Sequence, residues 1–135
     1  MQSIVTLTSL IAFFSYLGIG LALLIAAVVA VALVTPHRDF TLIRQGNTAA
    51  SLAFSGTLIG IALPLQAAIA HAVSLIDAAV WGGLAALVQI VAYLLGRAMV
   101  PGISRQITED KISAGVLAAG ISIAVGLLNA ASMTP

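Results

Sequence analysis

Residues 48–70 read TAASLAFSGTLIGIALPLQAAIA, and this uncharged run decides the fold class. As an α-helix the run would extend about 35 Å, enough to cross the ~30 Å hydrocarbon core of a bilayer. Uncharged stretches of similar length lie at 10–34, 78–96 and 112–133. A backbone in hydrocarbon must satisfy its own hydrogen bonds, and none of these stretches alternates apolar and polar residues as a barrel strand does. We therefore predict an all-α membrane protein with four transmembrane helices.

Composition supports lipid as the solvent. The 135 residues are 61% hydrophobic and only 7% charged, with a formal net charge of +1 and no cysteine. Soluble domains carry roughly 25% charged residues, so a soluble fold and a disordered tail are both excluded. The absence of a basic surplus and of cysteine argues against nucleic-acid binding, a disulfide scaffold and a cysteine-ligated zinc site.

The cations of the chain fall on one side of the predicted membrane. They lie in or beside the first and third connections: Arg38, Arg44, Arg97, Arg105 and Lys111. The N-terminus, the second connection and the C-terminal tail carry neither lysine nor arginine. The positive-inside rule then predicts that the cationic side is cytoplasmic and that both termini face outward, into the periplasm of a Gram-negative bacterium.

Both cationic connections have mixed character. The first, 37–47, reads HRDFTLIRQGN, and the third, 101–111, reads PGISRQITEDK. Each spaces apolar residues three or four apart, so each can form an amphipathic turn on the lipid headgroups, with Arg44 or Arg105 toward anionic lipid. A solvated loop fits each connection equally well.

The two halves of the chain resemble each other. A shift of 65 residues aligns Tyr16 with Trp81 and Pro36 with Pro101. A shift of 64 aligns Gly56 with Gly120. Each half contains two crossings and enters the membrane from the same side. A single transmembrane domain, 1–135, is therefore predicted to consist of two tandem parallel-repeat helical hairpins, about 10–70 and 77–133.

Small residues indicate how the helices pack. Gly56 and Gly60 form a GxxxG pair in the second span, and the repeat places Gly120 at an equivalent position in the fourth. Helices in lipid associate through close packing of small residues, so we expect the Gly56–Gly60 face to meet the fourth span. Pro64 cannot donate a hydrogen bond to the Gly60 carbonyl. It predicts either a structural kink or a hinge that leaves this carbonyl free to bind a serine, a threonine, water or a solute.

Few polar side chains lie at membrane depth. The candidates for a polar network or pathway are Asn47, Thr57, Gln66, Gln89 and Asn129. An unpaired amide in hydrocarbon is costly, so Gln89 and Asn129 should point inward and pair. The spans contain no Asp, Glu, Lys or Arg, and the chain has no nucleophile, metal or phosphate-binding motif. We expect no catalytic residue, no cofactor and no metal site, and hence no enzyme.

Residues 47–58, NTAASLAFSGTL, followed by Gly60 and Pro64-Leu65, resemble the YjfL-like family, as do Trp81-Gly82 and Asn129-Ala130-Ala131. This family is catalogued as a domain of unknown function, DUF 350. The resemblance implies a small multi-pass bacterial inner-membrane protein built of paired two-helix units. It also implies an association with envelope-stress proteins. The family's motif positions here are Asn47, Gly56, Thr57, Gly60, Pro64 and Asn129.

Two hypotheses follow. The first is a non-enzymatic structural or recruiting component of the membrane, in contact with the lipid bilayer and assembled as a homo-oligomer. Its partners would be envelope-stress proteins on the cytoplasmic face. The second is a channel or facilitator for a small solute or monovalent ion, lined by Gln66, Gln89, Asn129 and the Gly60 carbonyl. A continuous polar track would favour the second hypothesis, and a closed bundle the first.

Overall fold

The computed structural model describes residues 6–35 and 39–133, in which six helices and no strand are formed. The four long helices are α1 (Leu7–Val34), α3 (Thr48–Ala70), α4 (Leu75–Met99) and α6 (Ile112–Ser132). Two short ones, α2 (Asp39–Arg44) and α5 (Ile103–Thr108), lie in the first and third connections. Each long helix is long and apolar enough to cross a membrane. The prediction of four spans is confirmed, and Arg38 and Pro36 lie outside the described residues.

The helix boundaries follow from capping side chains. Helix α3 has the bounds of the uncharged run, and the Asn47 side chain caps its first turn by accepting a hydrogen bond from the Ala50 N–H. Helix α4 begins three residues before the predicted stretch, because the Ser74 hydroxyl accepts from the Asp77 N–H at 3.1 Å. Helix α4 also continues past the end of the predicted stretch, through Arg97. A charged residue interrupts an apolar stretch of sequence, but it does not end a helix.

The central pair of helices is α3 and α4, which both contact all the other long helices. Helices α1 and α6 flank this pair, and the α3–α6 contact is the most extensive in the described fold. The first half of α1 is largely exposed, and only its later residues Ala27, Val28 and Val31 are buried. Helix α1 is therefore the least enclosed of the four spans.

Backbone approaches at glycine hold α3 against α6. A Cβ atom placed on Gly56 would overlap Ala119, and one placed on Gly60 would overlap Ser122. From α6, a Cβ on Gly126 would stand 2.7 Å from the Gly60 Cα, and Gly115 meets Ala49 in the same way. This is the close approach that the Gly56–Gly60 spacing predicts.

The expectation for Gly120 is wrong. Gly120 is exposed, and a Cβ atom there would meet nothing within 4 Å. The face of α6 that meets α3 contains Gly115, Ala119, Ser122 and Gly126. Adjacent helical residues point about 100° apart, so Gly120 turns away from this face when Ala119 faces α3.

Both cationic connections pack on the bundle. Ile103 and Ile107 of α5 are only 4% and 2% exposed, within a cluster that includes Ala49, Ala50 and Ala114. In α2, Leu42 and Ile43 pack partly on the same cluster, and the Phe40 ring meets the Phe54 ring edge-on at 5.0 Å. Neither the headgroup-lying turn nor the solvated loop describes α5, because its apolar face is buried inside the protein.

Candidate functional site

Gln89 is the polar side chain most deeply buried in the described bundle, at 1% exposure. It reaches from α4 toward the α3–α6 contact, where its Nε2 donates to the Ser122 carbonyl oxygen at 3.0 Å. A Cβ on Gly60 would stand 2.6 Å from this nitrogen. Gly60 thus makes room both for the α6 backbone and for the Gln89 amide, and the resulting hydrogen bond joins α4 to α6.

A cavity lies beside Gln89, and α1, α3, α4, α5 and α6 all contribute to its wall. Most of the wall surface is apolar, and we call the space the polar cavity for the polar side chains among its lining residues. It offers about 50 Å³ to the centres of water-sized molecules. One such molecule needs roughly 10–15 Å³ of this space. The polar side chains in the wall are Thr35, Thr57, Gln89, Tyr93, Ser104 and Ser122. No charged side chain of the described residues lines the cavity.

Only some of the polar groups in the cavity wall form hydrogen bonds to other protein groups. The Thr57 hydroxyl donates to the Ala53 carbonyl at 3.1 Å, and the Thr35 hydroxyl donates to the Val31 carbonyl at 2.8 Å. Among the side-chain hydrogen bonds of the described residues, Gln89 takes part through its Nε2 and Ser122 through its backbone carbonyl. Polar atoms that face a cavity without a protein partner are the usual contacts of bound water or a polar ligand.

A second, cationic groove lies against the outer side of α5. Arg97 and Arg105 line it together with Thr108, and Tyr93, Ile103 and Ser104 line both the groove and the cavity. The Tyr93 and Ser104 hydroxyls are 3.3 Å apart and join α4 to α5 between the two spaces. Arg105 also contacts Glu109 at 3.5 Å, but this pair is exposed and contributes little stability.

Asn47 and Asp110 fasten α5 to the start of α3. The Asn47 Oδ1 accepts from the Ala50 N–H at 2.8 Å, while its Nδ2 donates to the Ile107 and Thr108 carbonyls at 2.9 and 3.2 Å. The Asp110 Oδ1 accepts from the Ala49 N–H at 2.9 Å. Asp110 has a φ of +60°, a left-handed conformation that aspartate tolerates better than most residues. Asn47 is therefore a tie between helices and lies outside the polar cavity.

The structure separates the amides that were expected to form one network. Gln66 is exposed and lines an apolar groove between α1 and α3. The Asn129 Nδ2 is buried but has no partner among the described residues. Gln89 bonds to the Ser122 backbone instead. The expected pairing of Gln89 and Asn129 is wrong, because Gly60 allows Gln89 to reach an α6 carbonyl directly.

Pro64 is buried within α3, and the helix continues through it. The Gly60 carbonyl that it frees faces Gly126, where a Cβ atom would overlap the oxygen. The backbone of α6 therefore occupies the position that was expected to bind a hydroxyl, water or solute. Such a contact suits a weak Cα–H···O hydrogen bond between the two helices.

The four described cations lie at one end of the bundle. Arg44, Arg97, Arg105 and Lys111 are all exposed around α2 and α5, at what we call the cationic end. Sequence reasoning named these four residues, but it missed Ser104 and Asp110 as parts of the site. The "TEDK" segment contained Asp110, yet nothing in the pattern pointed to the N–H of Ala49 as its partner. Within the described residues there is no group of three histidine or acidic side chains that could hold a metal ion.

Comparison with known proteins places the chain among uncharacterised membrane proteins. Residues 5–133 match the family model described as Domain of Unknown Function (DUF350). The UPF0719 inner membrane protein YjfL of Escherichia coli strain K12 is 41% identical over 128 residues, which cover 95% of this chain and 97% of the relative. The UPF0719 transmembrane protein YshE of Bacillus subtilis strain 168 is 25% identical over 121 residues, covering 88% and 90%. No solved structure matches the chain.

Proposed function

The chain belongs to the DUF350 family, and from this membership we propose that it is a non-enzymatic structural or recruiting component of the bacterial inner membrane. The observation that carries the proposal is the backbone packing of α3 on α6 at Gly56, Gly60 and Gly126. Contacts of this kind are dense and rigid, as a scaffold requires. On the α4 side, the cavity wall reaches no farther from the cationic end than Gln89.

The cationic end is the proposed recruiting surface, and we assign it to the cytoplasm. Support comes from the one-sided distribution of lysine and arginine and from the rigid attachment of α5 through Asn47 and Asp110. Exposed Arg44 and Arg105 would attract anionic lipid or an acidic protein surface, at about 1 kcal/mol per cation near a charged membrane. Envelope-stress proteins are the proposed class of partner.

The proposed architecture is a pair of tandem parallel repeats with both termini outward. Each half has the order long helix, short helix, long helix. On the facing sides of α3 and α6, Gly115 meets Ala49 and Gly126 meets Gly60, and the residues of each pair differ by 66 in number. The register that supports the repeat is therefore 66 at this contact.

Self-association is proposed through α1. This helix exposes large apolar side chains over its first half, including Phe13, Leu17 and Leu21, while its later turns pack in the bundle. Lipid can cover this face, and so can a second copy.

A flux assay distinguishes this scaffold from a facilitator. Purified protein in liposomes should pass glycerol and potassium no faster than protein-free liposomes do. The matched control is Gln89→Leu, which removes the deepest amide and should leave this basal leak unchanged. A saturable flux in the native protein that Gln89→Leu abolishes would overturn the scaffold proposal in favour of a channel or facilitator.

A further inference from the structure

We propose that the polar cavity is a binding site for a small uncharged ligand that both donates and accepts hydrogen bonds, such as a primary amide or an alcohol. The proposal goes beyond the scaffold role and does not depend on how the protein is oriented in the membrane. It rests on the cavity, on the polar groups of its lining residues and on the contact that closes it.

The chemical class of the ligand follows from the polar groups of the residues that line the cavity. The Gln89 Oε1 can only accept a hydrogen bond, and the Ser122 hydroxyl can donate or accept one. Gln89 is 1% exposed and Ser122 is 9% exposed, so both residues lie largely away from bulk water. A primary amide can donate to the first group and accept from the second. No described charged side chain lines the cavity, and burying an ion there without a partner would be costly.

The size of the cavity limits the ligand to a few atoms. Its 50 Å³ would hold about three to five waters, on the requirement of 10–15 Å³ for each. Acetamide, with four non-hydrogen atoms, matches this space. Larger solutes such as sugars do not.

The entrance is the contact between Tyr93 and Ser104. These two residues and Ile103 line both the cavity and the groove beside Arg97 and Arg105. The hydroxyls meet at 3.3 Å, a long hydrogen bond that a small movement of α5 would break. Opening it would connect the Gln89 amide with the solvent at the cationic end.

Because the chain contains no cysteine, a single introduced thiol can report on the cavity. We would place it at Ala118, which lines the cavity, and at Ala124 as an exposed control on the same helix. The rate of modification by iodoacetamide, an uncharged reagent of five non-hydrogen atoms, would be followed by intact mass in detergent micelles, where both ends are accessible. Acetamide should slow modification of Ala118→Cys by about half when half of the sites are filled, and should leave Ala124→Cys unaffected.

A second variant tests the entrance while leaving the Gln89 amide and the Ser122 hydroxyl in place. Tyr93→Phe keeps the ring but removes the hydroxyl, and should raise the modification rate of Ala118→Cys by about two- to tenfold, the range expected for one neutral hydrogen bond. An unreactive Ala118→Cys in both backgrounds would overturn the proposal. So would equal protection of both thiols by acetamide, or a rate that Tyr93→Phe leaves unchanged. Because flux is not measured, failure here leaves the scaffold proposal standing.

Discussion

Gly126 and Gly120 lie six residues apart on α6, yet their surroundings differ completely. At Gly126 a methyl group would overlap the Gly60 carbonyl oxygen, which is backbone and cannot move aside cheaply, whereas at Gly120 it would enter open space. We expect Gly126→Ala to destabilise the fold by about 1–3 kcal/mol through overpacking. Gly120→Ala should change stability by no more than about 1 kcal/mol, in the stabilising direction that alanine's helix propensity favours. Thermal unfolding of both variants in one detergent provides the measurement, and equal melting temperatures would contradict the assigned interface.

Asn47 caps α3 and also holds α5, so its two roles can be separated. Asn47→Ala removes both, and should cost about 1–3 kcal/mol. Asn47→Asp retains an acceptor for the Ala50 N–H but loses the donor to the Ile107 and Thr108 carbonyls, so α5 should loosen while the α3 cap persists. Hydrogen exchange resolved by peptide should therefore accelerate over α5 in both variants.

The control for this second prediction is Ser74→Ala, which removes an exposed cap from α4 at the opposite end. Exchange over α5 should be the same in Ser74→Ala as in the native chain. If Asn47→Asp also left α5 exchange unchanged, the tie between Asn47 and α5 would be wrong.

At the level of the helix, α5 is held by two isoleucines that the membrane-surface interpretation would place in contact with lipid. Ile107 is 2% exposed, and Ile107→Ala should cost about 2–4 kcal/mol because it leaves a cavity under α5. Ile112→Ala is the matched control, since Ile112 is 52% exposed. Trypsin offers a direct measurement, because Arg105 lies on α5 and should be cleaved faster once the helix undocks. Equal cleavage of the two variants would place the apolar face of α5 outside the bundle.

The helices also show which features a sequence pattern can predict. The four spans and the bounds of α3 follow from hydrophobic length, which depends only on local sequence. The position of α5 does not, because an i, i+4 pair of isoleucines is equally suited to headgroups and to a protein core. The decisive factors are distant groups: the Asn47 amide and the small residues Ala49, Ala50 and Ala114. The predicted pairing of Gln89 with Asn129 was wrong for the same reason. Gln89 bonds to a backbone carbonyl, and because every residue carries one, the sequence does not indicate which carbonyl it will be.

For the whole molecule, the residue identities that suggested a repeat do not predict which residues meet between α3 and α6. The shift of 64 aligned Gly56 with Gly120 by residue identity, whereas packing places Gly56 against Ala119 and Gly60 against Ser122. An alignment of the two halves by residue identity favours matching glycine with glycine. Packing requires only that one of two facing residues be small, so it is less visible in the sequence. The cavity is equally hidden, since it forms where five helices meet.

Orientation in the membrane is the remaining property of the whole molecule, and it depends on five cations. If they set the topology, the connection around Val73 lies outside and the one around Gln45 inside. Both side chains are exposed and neither is a cap, so each can be replaced by the only cysteine in the chain. In intact cells a membrane-impermeant maleimide should label Val73→Cys, and should label Gln45→Cys only after permeabilisation. Pro101→Cys, on the third connection, should behave like Gln45→Cys. Labelling of Gln45→Cys in intact cells would invert the topology and move the cationic end away from any cytoplasmic partner.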